Sequence, residues 1–503
     1  MTLPHEQNYI QIYESAVENL KVRPGDRELQ HRAVLSLARA GSLDFAIAEF
    51  NRFGLGEVSG HEDIMALDGR LSKDLYLRSN GEDALKHANA ATRKYTAAFK
   101  ATQGYYSGVN SATMAFMAEM PEHVIEEKIA AVEGLLPSPE KLTPEDHYFI
   151  EATRAECCFL RGDSSRAAKA LQAAVDFDPM NFTAHATTLK QFKMIARKRS
   201  EDTNWLNKFS PPTPLHFAGR IRITLSEIQL KQLKINISDV IQKHDIGFAY
   251  GALAAGSDIV IAEALLTEGA ALHVVLPCPE DCFVEHSVRP FGEEWVPRFK
   301  SCLEGAASVR FLSDYTPWPD PRVNRLSGQF AMGQAVLMGH SLSVDPMQIL
   351  VLGEAGENSY TSQHGKDWVS AGHKQIVLPE SNEQQNKTPM LEKQVHFKAL
   401  IHSSDLPDPL RYETPREALE AAMKLRANAS KRQMALHIDI PGVDDDPTGH
   451  QMLKYGAPQS LLLSEVFASL LALSEGRKFD ISYAGFFECG DDQTLRCYAV
   501  NNI

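Results

Sequence analysis

At 503 residues the chain is about three times the length of a usual domain, so two to four domains are expected. Its 44% hydrophobic and 23% charged residues, with 31 Gly and 26 Pro, describe a folded globular protein and exclude disorder or a fibre as the main organisation. The formal net charge of -14, from 51 Lys and Arg against 65 Asp and Glu, opposes a phosphate backbone or an anionic membrane surface, so neither nucleic acid nor membrane is expected as partner.

Seven cysteines, with Cys157 and Cys158 adjacent and no CxxC pair, argue against a disulfide framework or a structural zinc site and for a reducing, cytoplasmic setting. The opening MTLPHEQNYIQIYES has neither the basic nor the apolar region of an export signal. The longest apolar-looking run, 246 to 266, is broken by Asp258 and Glu263, so no membrane span is expected.

From about 5 to 200 the chain reads as successive helices, rich in Ala, Leu, Glu and Lys, with apolar residues recurring at helical spacing as in Ala33, Leu37 and Ala40. Two segments share a spacing: Gly41, Ala46, Phe50, and later Gly162, Ala167, Leu171, Ala174, Pro179. A turn Gly, a small Ala five residues on and a bulky residue four after that form the tetratricopeptide pattern, in which small residues let paired helices approach. The basic cluster Lys193, Arg197, Lys198, Arg199 falls at the end of the last helix, where cations suit the macrodipole and solvent. RKRSEDTNWLNKFSPPTPL, 197 to 215, is polar and Pro-rich and marks a boundary.

Beyond it, short apolar strands alternate with helices: LHFAG, DIGFAYG, a helix from about Ser257 to Glu268, ALHVVLP, SVRFLS and MQILVLG. That alternation predicts a doubly wound parallel sheet, whose ligands sit beyond the strands' carboxyl ends. Gly219, Arg220, Tyr250, Gly251 and Pro277 then share one rim. Gly251 and Gly256, followed by Ser257 and Asp258 at a helix start, offer close backbone approach, a capping Ser and helix-end amides. Asp258 would oppose a phosphate and better accept from a ribose hydroxyl or a base. His216 and His273 read as core or edge residues, and Cys278 with Cys282 as an unremarkable pair beside prolines. No Gly-rich kinase loop, GxGxxG, P-loop, GxSxG elbow, HExxH or DxDxDG loop occurs.

A polar stretch at 379 to 394 reads as a linker. The remainder gives a helix (PREALEAAMKLRANA), a strand (MALHIDIPG), an acidic turn holding Asp444, Asp445 and Asp446, a second helix (SLLLSEVFASLLAL) and two closing strands (FDISYAGFFE, TLRCYAV).

Three resemblances attach to these segments. ALDGRLSKDLYL, GYYSGVNSATMAFMA and HYFIEATRAECCFLRGDSSRAAKALQAAVDFDP resemble the helical, tetratricopeptide-like regulatory region of apoptosis-signal-regulating kinases and their bacterial relatives. That resemblance implies a domain at 1–205 that contacts a protein partner, without a kinase. AYGALAAGSDIVIAEALLTEGAALHVVLP and FGEEWVPRFKSCLEGAASVRFLS are similar to the SLOG superfamily of Rossmann-like nucleotide-binding domains, here at 212–380. This implies a small nucleotide or nucleotide-derived ligand on Gly219, Arg220, Gly251, Gly256, Ser257, Asp258 and Glu263, which Tyr250 joins from its place on the rim. The PGGxGT loop of the LOG enzymes is absent, so no catalytic residue is carried over. VHFKALIHSSDL and the segments after it, 393–503, resemble the latter part of a class III nucleotidyl cyclase, a small ferredoxin-like α+β domain. The first-strand carboxylate position falls at Ser404 or Asp405, and the hairpin for the second carboxylate and the Asn-Arg helix are missing, which implies a catalytically inactive remnant without metal. Cyclase domains pair, so a homodimer is compatible with the resemblance.

The expected architecture is therefore multidomain α plus α/β: an all-α tetratricopeptide-like solenoid, a doubly wound parallel-sheet domain and a small α+β domain. The expected function is a signalling or regulatory protein that senses a nucleotide-derived ligand. The alternative is an enzyme of the N-glycosidic hydrolase or transferase type, which would need Glu263 or Asp258 facing the pocket beside Arg220.

Overall fold

A computed structural model describes residues 8–137, 143–221, 226–312, 321–353, 360–380, 397–428, 433–440, 448–455, 461–488 and 494–502. The chain divides into two compact units, Pro4–Pro211 with Ser482–Phe486, and Pro212–Ile481 with Phe487–Val500.

The first unit is helical: α1 (Tyr9–Val22), α2 (Arg27–Arg39), α3 (Leu43–Arg52), α4 (Glu62–Leu77), α5 (Gly81–Thr102), α6 (Tyr105–Met117), α7 (Glu122–Glu133), α8 (Pro144–Leu160), α9 (Ser164–Phe177) and α10 (Phe182–Arg199). Side-chain caps set several starts: Asp26 accepts from the amides of Glu28 and Leu29, Asp163 from Arg166, and Asn181 from Ala184. Gly41 and Gly162 make the turns between α2 and α3 and between α8 and α9 at φ 82° and 84°, a region that favours glycine. Ala46 and Ala167 are wholly buried five residues on, with Phe50, Leu171 and Ala174 beside them, so both copies of the repeat spacing become helix pairs. Even-numbered helices pack on one another, α2 on α4, α4 on α6, α6 on α8 and α8 on α10, while α1, α5, α7 and α9 lie against them. The even helices thus form the inner layer of a solenoid.

The basic cluster at the end of α10 differs from the solvated terminus expected. Arg199 donates to the carbonyls of Phe159 and Leu160 at the end of α8, and Lys198 pairs with Glu119. The last carbonyls of a helix have no partner within it, which is what a neighbouring guanidinium supplies.

The second unit begins with a six-stranded, fully parallel sheet: β1 (Thr213–Ala218), α11 (Glu227–Lys243), β2 (Ile246–Gly251), α12 (Ser257–Thr267), β3 (Ala271–Leu276), α13 (Glu280–Phe283), α14 (Trp295–Glu304), β4 (Ser308–Phe311), α15 (Pro321–Leu342), β5 (Met347–Gly353), α16 (Tyr360–Ser370) and β6 (Lys374–Glu380). The strand order is β4-β3-β2-β1-β5-β6. The chain steps outward from β1 to β4, then returns through α15 to place β5 on the other side of β1, so the switch point lies between β1 and β5. The linker expected from 379 begins too early, since β6 runs through Glu380; it is an edge strand with Val377 46% exposed, and KQIVLPE lacks the all-apolar signature of a central parallel strand.

A second six-stranded sheet follows, from β7 (Ala399–Ser403), β8 (Leu410–Tyr412), α17 (Pro415–Asn428), β9 (Met434–Ile438), α18 (Thr448–Tyr455), β10 (Leu461–Ser464), α19 (Glu465–Glu475), β11 (Phe479–Glu488) and β12 (Thr494–Asn502), in the order β11-β12-β10-β9-β7-β8. Two expectations are corrected here. Leu461–Ser464, read as the start of a helix, is a strand parallel to β9, and Ser464 caps α19 by accepting from Phe467 N at 3.2 Å. Three successive buried leucines suit a central strand as well as a helix, which is why spacing alone misread them. That adjacent parallel pair also departs from the antiparallel ferredoxin-like arrangement, since α18 crosses over between neighbouring strands. The acidic turn at 444 to 446 lies outside the described residues.

The two sheets are joined through helices, α15 on the first and α19 on β9 and β10 of the second. Helix α15 covers β1, β2 and β3 and packs along its other side on α19. A Cβ at Gly333 would stand 2.2 Å from Ser469 O, and Gln334 Nε2 donates to Ser469 Oγ at 2.6 Å. Only glycine at 333 permits that approach.

Candidate functional site

The site is built where β1 and α12 meet. Past the end of β1, the Gly219 amide donates to Asp258 Oδ1 at 2.7 Å, and the Ala254 amide donates to Oδ2 at 3.3 Å. The Ser257 amide donates to Arg220 O at 3.0 Å, and Ile221 pairs with Gly256 in an isolated antiparallel bridge. The cap expected from Ser257 is not formed: Ser257 is the first residue of α12, its hydroxyl makes no capping bond, and Gly256 stands at the cap at φ 112°, in the region that favours glycine. A Cβ at Gly219 would lie 2.1 Å from Ser257 Cβ, and one at Gly251 would lie 2.6 Å from Phe217 O. Backbone approach at this rim therefore depends on both glycines. Across the switch point, Thr361 Oγ1 in the first turn of α16 donates to Gly219 O at 3.0 Å. The first turns of two helices converge on Gly219, each presenting N–H groups that its own helix does not use.

Asp258 is only 7% exposed, and burial pushes its carboxyl up to about 7 against the lowering effect of the Gly219 and Ala254 amides. Both oxygens are taken by backbone, so it clamps the rim. Ser257 is fully buried, and its Oγ has no hydrogen-bond partner among the described residues. An unpaired buried hydroxyl is costly unless something else supplies a partner.

Glu263 does not join this rim. It lies further along α12, where Arg298 donates Nε and Nη2 to it at 2.6 and 2.8 Å and Lys234 Nζ at 3.1 Å. Burial works to raise its carboxyl, but the bonds and charge of Arg298 and Lys234 prevail and hold it low. Its charge is committed to fastening α12 to α14 and α11.

Tyr250 is 5% exposed, and its ring stacks on His273 at 4.7 Å. The two belong to a polar row across adjacent strands of the parallel sheet. His273 Nδ1 bonds Ser308 Oγ at 2.8 Å, Gln348 Nε2 bonds His216 Nδ1 at 2.9 Å, and Gln375 Nε2 donates to Gln348 Oε1 at 2.6 Å. His216 stacks on Trp368 of α16 at 6.0 Å, and burial lowers its imidazole well below the usual range. The row is internal, which agrees with the reading of His216 and His273 as core residues. Cys278 is buried, with its thiol pushed up by burial and by Cys282. No group of three or more His, Cys, Asp or Glu that could hold a metal occurs among the described residues.

Sequence reasoning missed Thr361, Ala254, Arg298 and Lys234. Ala254 and Thr361 take part through a backbone amide and a lone hydroxyl, which carry no motif. Arg298 and Lys234 lie 35 and 29 residues from Glu263 and meet it only in the fold.

A family model described as Tetratricopeptide Repeats-Sensor matches residues 7–115, the stretch from α1 into α6. The N-terminal helices are thus of tetratricopeptide type, which supports a protein-contacting or regulatory role. No curated protein matches the chain. Among solved structures, a mutant O-GlcNAc transferase of Thermobaculum terrenum is similar at 10% identity and a TM-score of 0.18, over 63% of this chain and 57% of that one. A TM-score that low carries no argument. No helix among the described residues is long and apolar enough to cross a membrane.

Proposed function

We propose that this chain is a ligand-responsive regulatory protein. The tetratricopeptide-type helices contact a protein partner, and the parallel-sheet region binds a small nucleotide-derived molecule at the switch point between β1 and β5. The observation that carries this reading is the convergence of the α12 and α16 first turns on Gly219, held by the Asp258 clamp beside the unpartnered Ser257 hydroxyl. Backbone donors and a buried hydroxyl favour holding a ligand by hydrogen bonds.

Binding without turnover is favoured over hydrolysis or transfer. General acid–base chemistry needs a carboxyl within reach of the reacting atom. Glu263 is committed to Arg298 and Lys234, and both oxygens of Asp258 are committed to backbone amides. The C-terminal region enters this proposal through α19, the packing partner of α15, with no nucleotidyl transfer assigned to it.

The test is a thermal-shift panel of nucleotides, cyclic nucleotides, NAD and ADP-ribose on the full chain, with Gly256→Val as control. A ligand at 100 times its dissociation constant adds about 2.7 kcal/mol of stability. A shift that disappears in the variant, with the ligand recovered unchanged, supports the reading. A consumed ligand replaces it with an enzyme.

A further inference from the structure

Cationic side chains cluster around one carboxylate on α4 although the chain as a whole carries -14. Asp74 on α4 is surrounded by Arg70, Lys73 and Arg78, and it makes a 3.7 Å pair with Arg70 Nε. Lys73 Nζ reaches across to α6 and α10, donating to Asn110 Oδ1 at 2.9 Å and Gln191 Oε1 at 2.8 Å. Gln191 in turn donates to Glu156 Oε1 on α8 at 2.8 Å, and Thr113 donates to the same oxygen. One polar network therefore ties four inner helices together.

The groups in it are desolvated without being sealed. Burial lowers the Lys73 ammonium and raises the Glu156 and Asp74 carboxyls, yet all three side chains remain partly accessible. These side chains are stripped of much of their water but are still reachable. On α2 stands Arg39, solvent-accessible at its surface, whose guanidinium is lowered first by partial burial and then by the like charge of Arg70. Arg39 has no hydrogen bond or ion pair among the described residues. Tyr106 lies near both arginines and leaves its side chain 45% exposed, with the ring edge-on to Tyr95 at 6.3 Å. The anions present are already engaged: Asp74 by Arg70, and Glu156 by Thr113 and Gln191. Asp74 and Glu156 thus offset only two of the three cations Arg39, Arg70 and Lys73, and Arg39 is the one without a partner among the described residues; a multivalent oxyanion completes such a set, because each arginine offers a planar fork of donors. An exposed phenol ring beside them supplies a face for an aromatic base.

We infer that the inner layer of α2, α4 and α6 binds a phosphate-bearing small molecule through Arg39, Arg70 and Lys73, with Tyr106 stacking on its ring. This site stands independently of the rim at Gly219.

The experiment is titration calorimetry of the full chain with pyrophosphate and with ADP, on the wild type and on Arg39→Gln, Arg39→Lys and Gly256→Val. Arg39 is exposed, so its variants are expected to keep the wild-type melting temperature. The expected result is pyrophosphate binding that weakens about tenfold or more in Arg39→Gln, the scale of one charge-assisted bond. Arg39→Lys recovers part of it, Gly256→Val leaves it unchanged, and ADP binds more tightly than pyrophosphate. Equal pyrophosphate affinity in wild type and Arg39→Gln, or no binding at all, overturns the proposal. ADP binding lost only in Gly256→Val assigns the nucleotide to the other site and overturns it too. Arg39-dependent binding of an acidic peptide, with none of pyrophosphate or ADP, replaces the small molecule with a protein segment.

Discussion

Replacing Asp258 with Asn is predicted to remove a specific pH dependence from the stability of the second unit. The folded carboxyl titrates at about 7, raised by burial, whereas an unfolded aspartate titrates near 3.9. Between those values the folded chain holds a proton that the unfolded chain has released. Stability contributed by this group is therefore greatest below about pH 4 and declines as pH rises toward 7. The slope approaches 1.4 kcal/mol per pH unit, and the gap of about three units sets an upper bound of about 4 kcal/mol. The two amides that bind the ionised form are already included in the folded value, and the part of the decline that falls between pH 5 and 7 is about 2 kcal/mol. Urea unfolding followed by tryptophan fluorescence, with Trp295 and Trp368 inside this unit, measures it for wild type and Asp258→Asn at pH 5, 6 and 7. The wild-type midpoint should fall with pH relative to that of the variant. Parallel profiles for the two proteins would refute the argument that Asp258 is buried and clamped.

Ser257→Ala removes a buried hydroxyl that has no partner, so it should leave stability unchanged or raise it by up to about 1 kcal/mol while weakening ligand binding about tenfold; a loss of folding would mean that the hydroxyl is structurally bonded. Glu263→Gln leaves Arg298 and Lys234 without their anion and should cost about 1–2 kcal/mol in chemical denaturation, with ligand affinity unchanged. Loss of binding in that variant, at intact fold, would return Glu263 to the site. Gly333→Val places a side chain 2.2 Å from Ser469 O and should loosen α15 from α19, seen as faster hydrogen exchange in both helices. Unchanged exchange would show that the contact is dispensable.

Strands buried on both faces could be read from sequence, and so could SVRFLS, although β4 lies at the edge of its sheet. ALHVVL and MQILVLG each form one central or near-central parallel strand, and their apolar runs are the signature of that position. Where the same signature was short it failed, as at Leu461–Leu463, and where a strand lay at the edge it was absent, as at β6. The repeat spacing was legible because Gly41, Gly162, Ala46 and Ala167 each answer a local steric demand, a left-handed turn or a close helix approach.

At the site, glycines and a helix cap announced the rim, but not what the acidic residues do there. Asp258 and Glu263 lie five positions apart on one helix and look alike in sequence. The fold turns one toward backbone amides and the other toward Arg298 and Lys234. That distinction depends on residues far along the chain, and with it the preference for binding over catalysis.

The most direct test of this account is hydrogen–deuterium exchange on the full chain with and without the nucleotide that gives the largest thermal shift, with the ligand recovered afterwards by chromatography. The account predicts slower exchange confined to Gly219–Arg220, Gly251–Val260 and the first turn of α16, with the ligand intact. Slowed exchange elsewhere with none at those positions, or a ligand recovered as products, would contradict it.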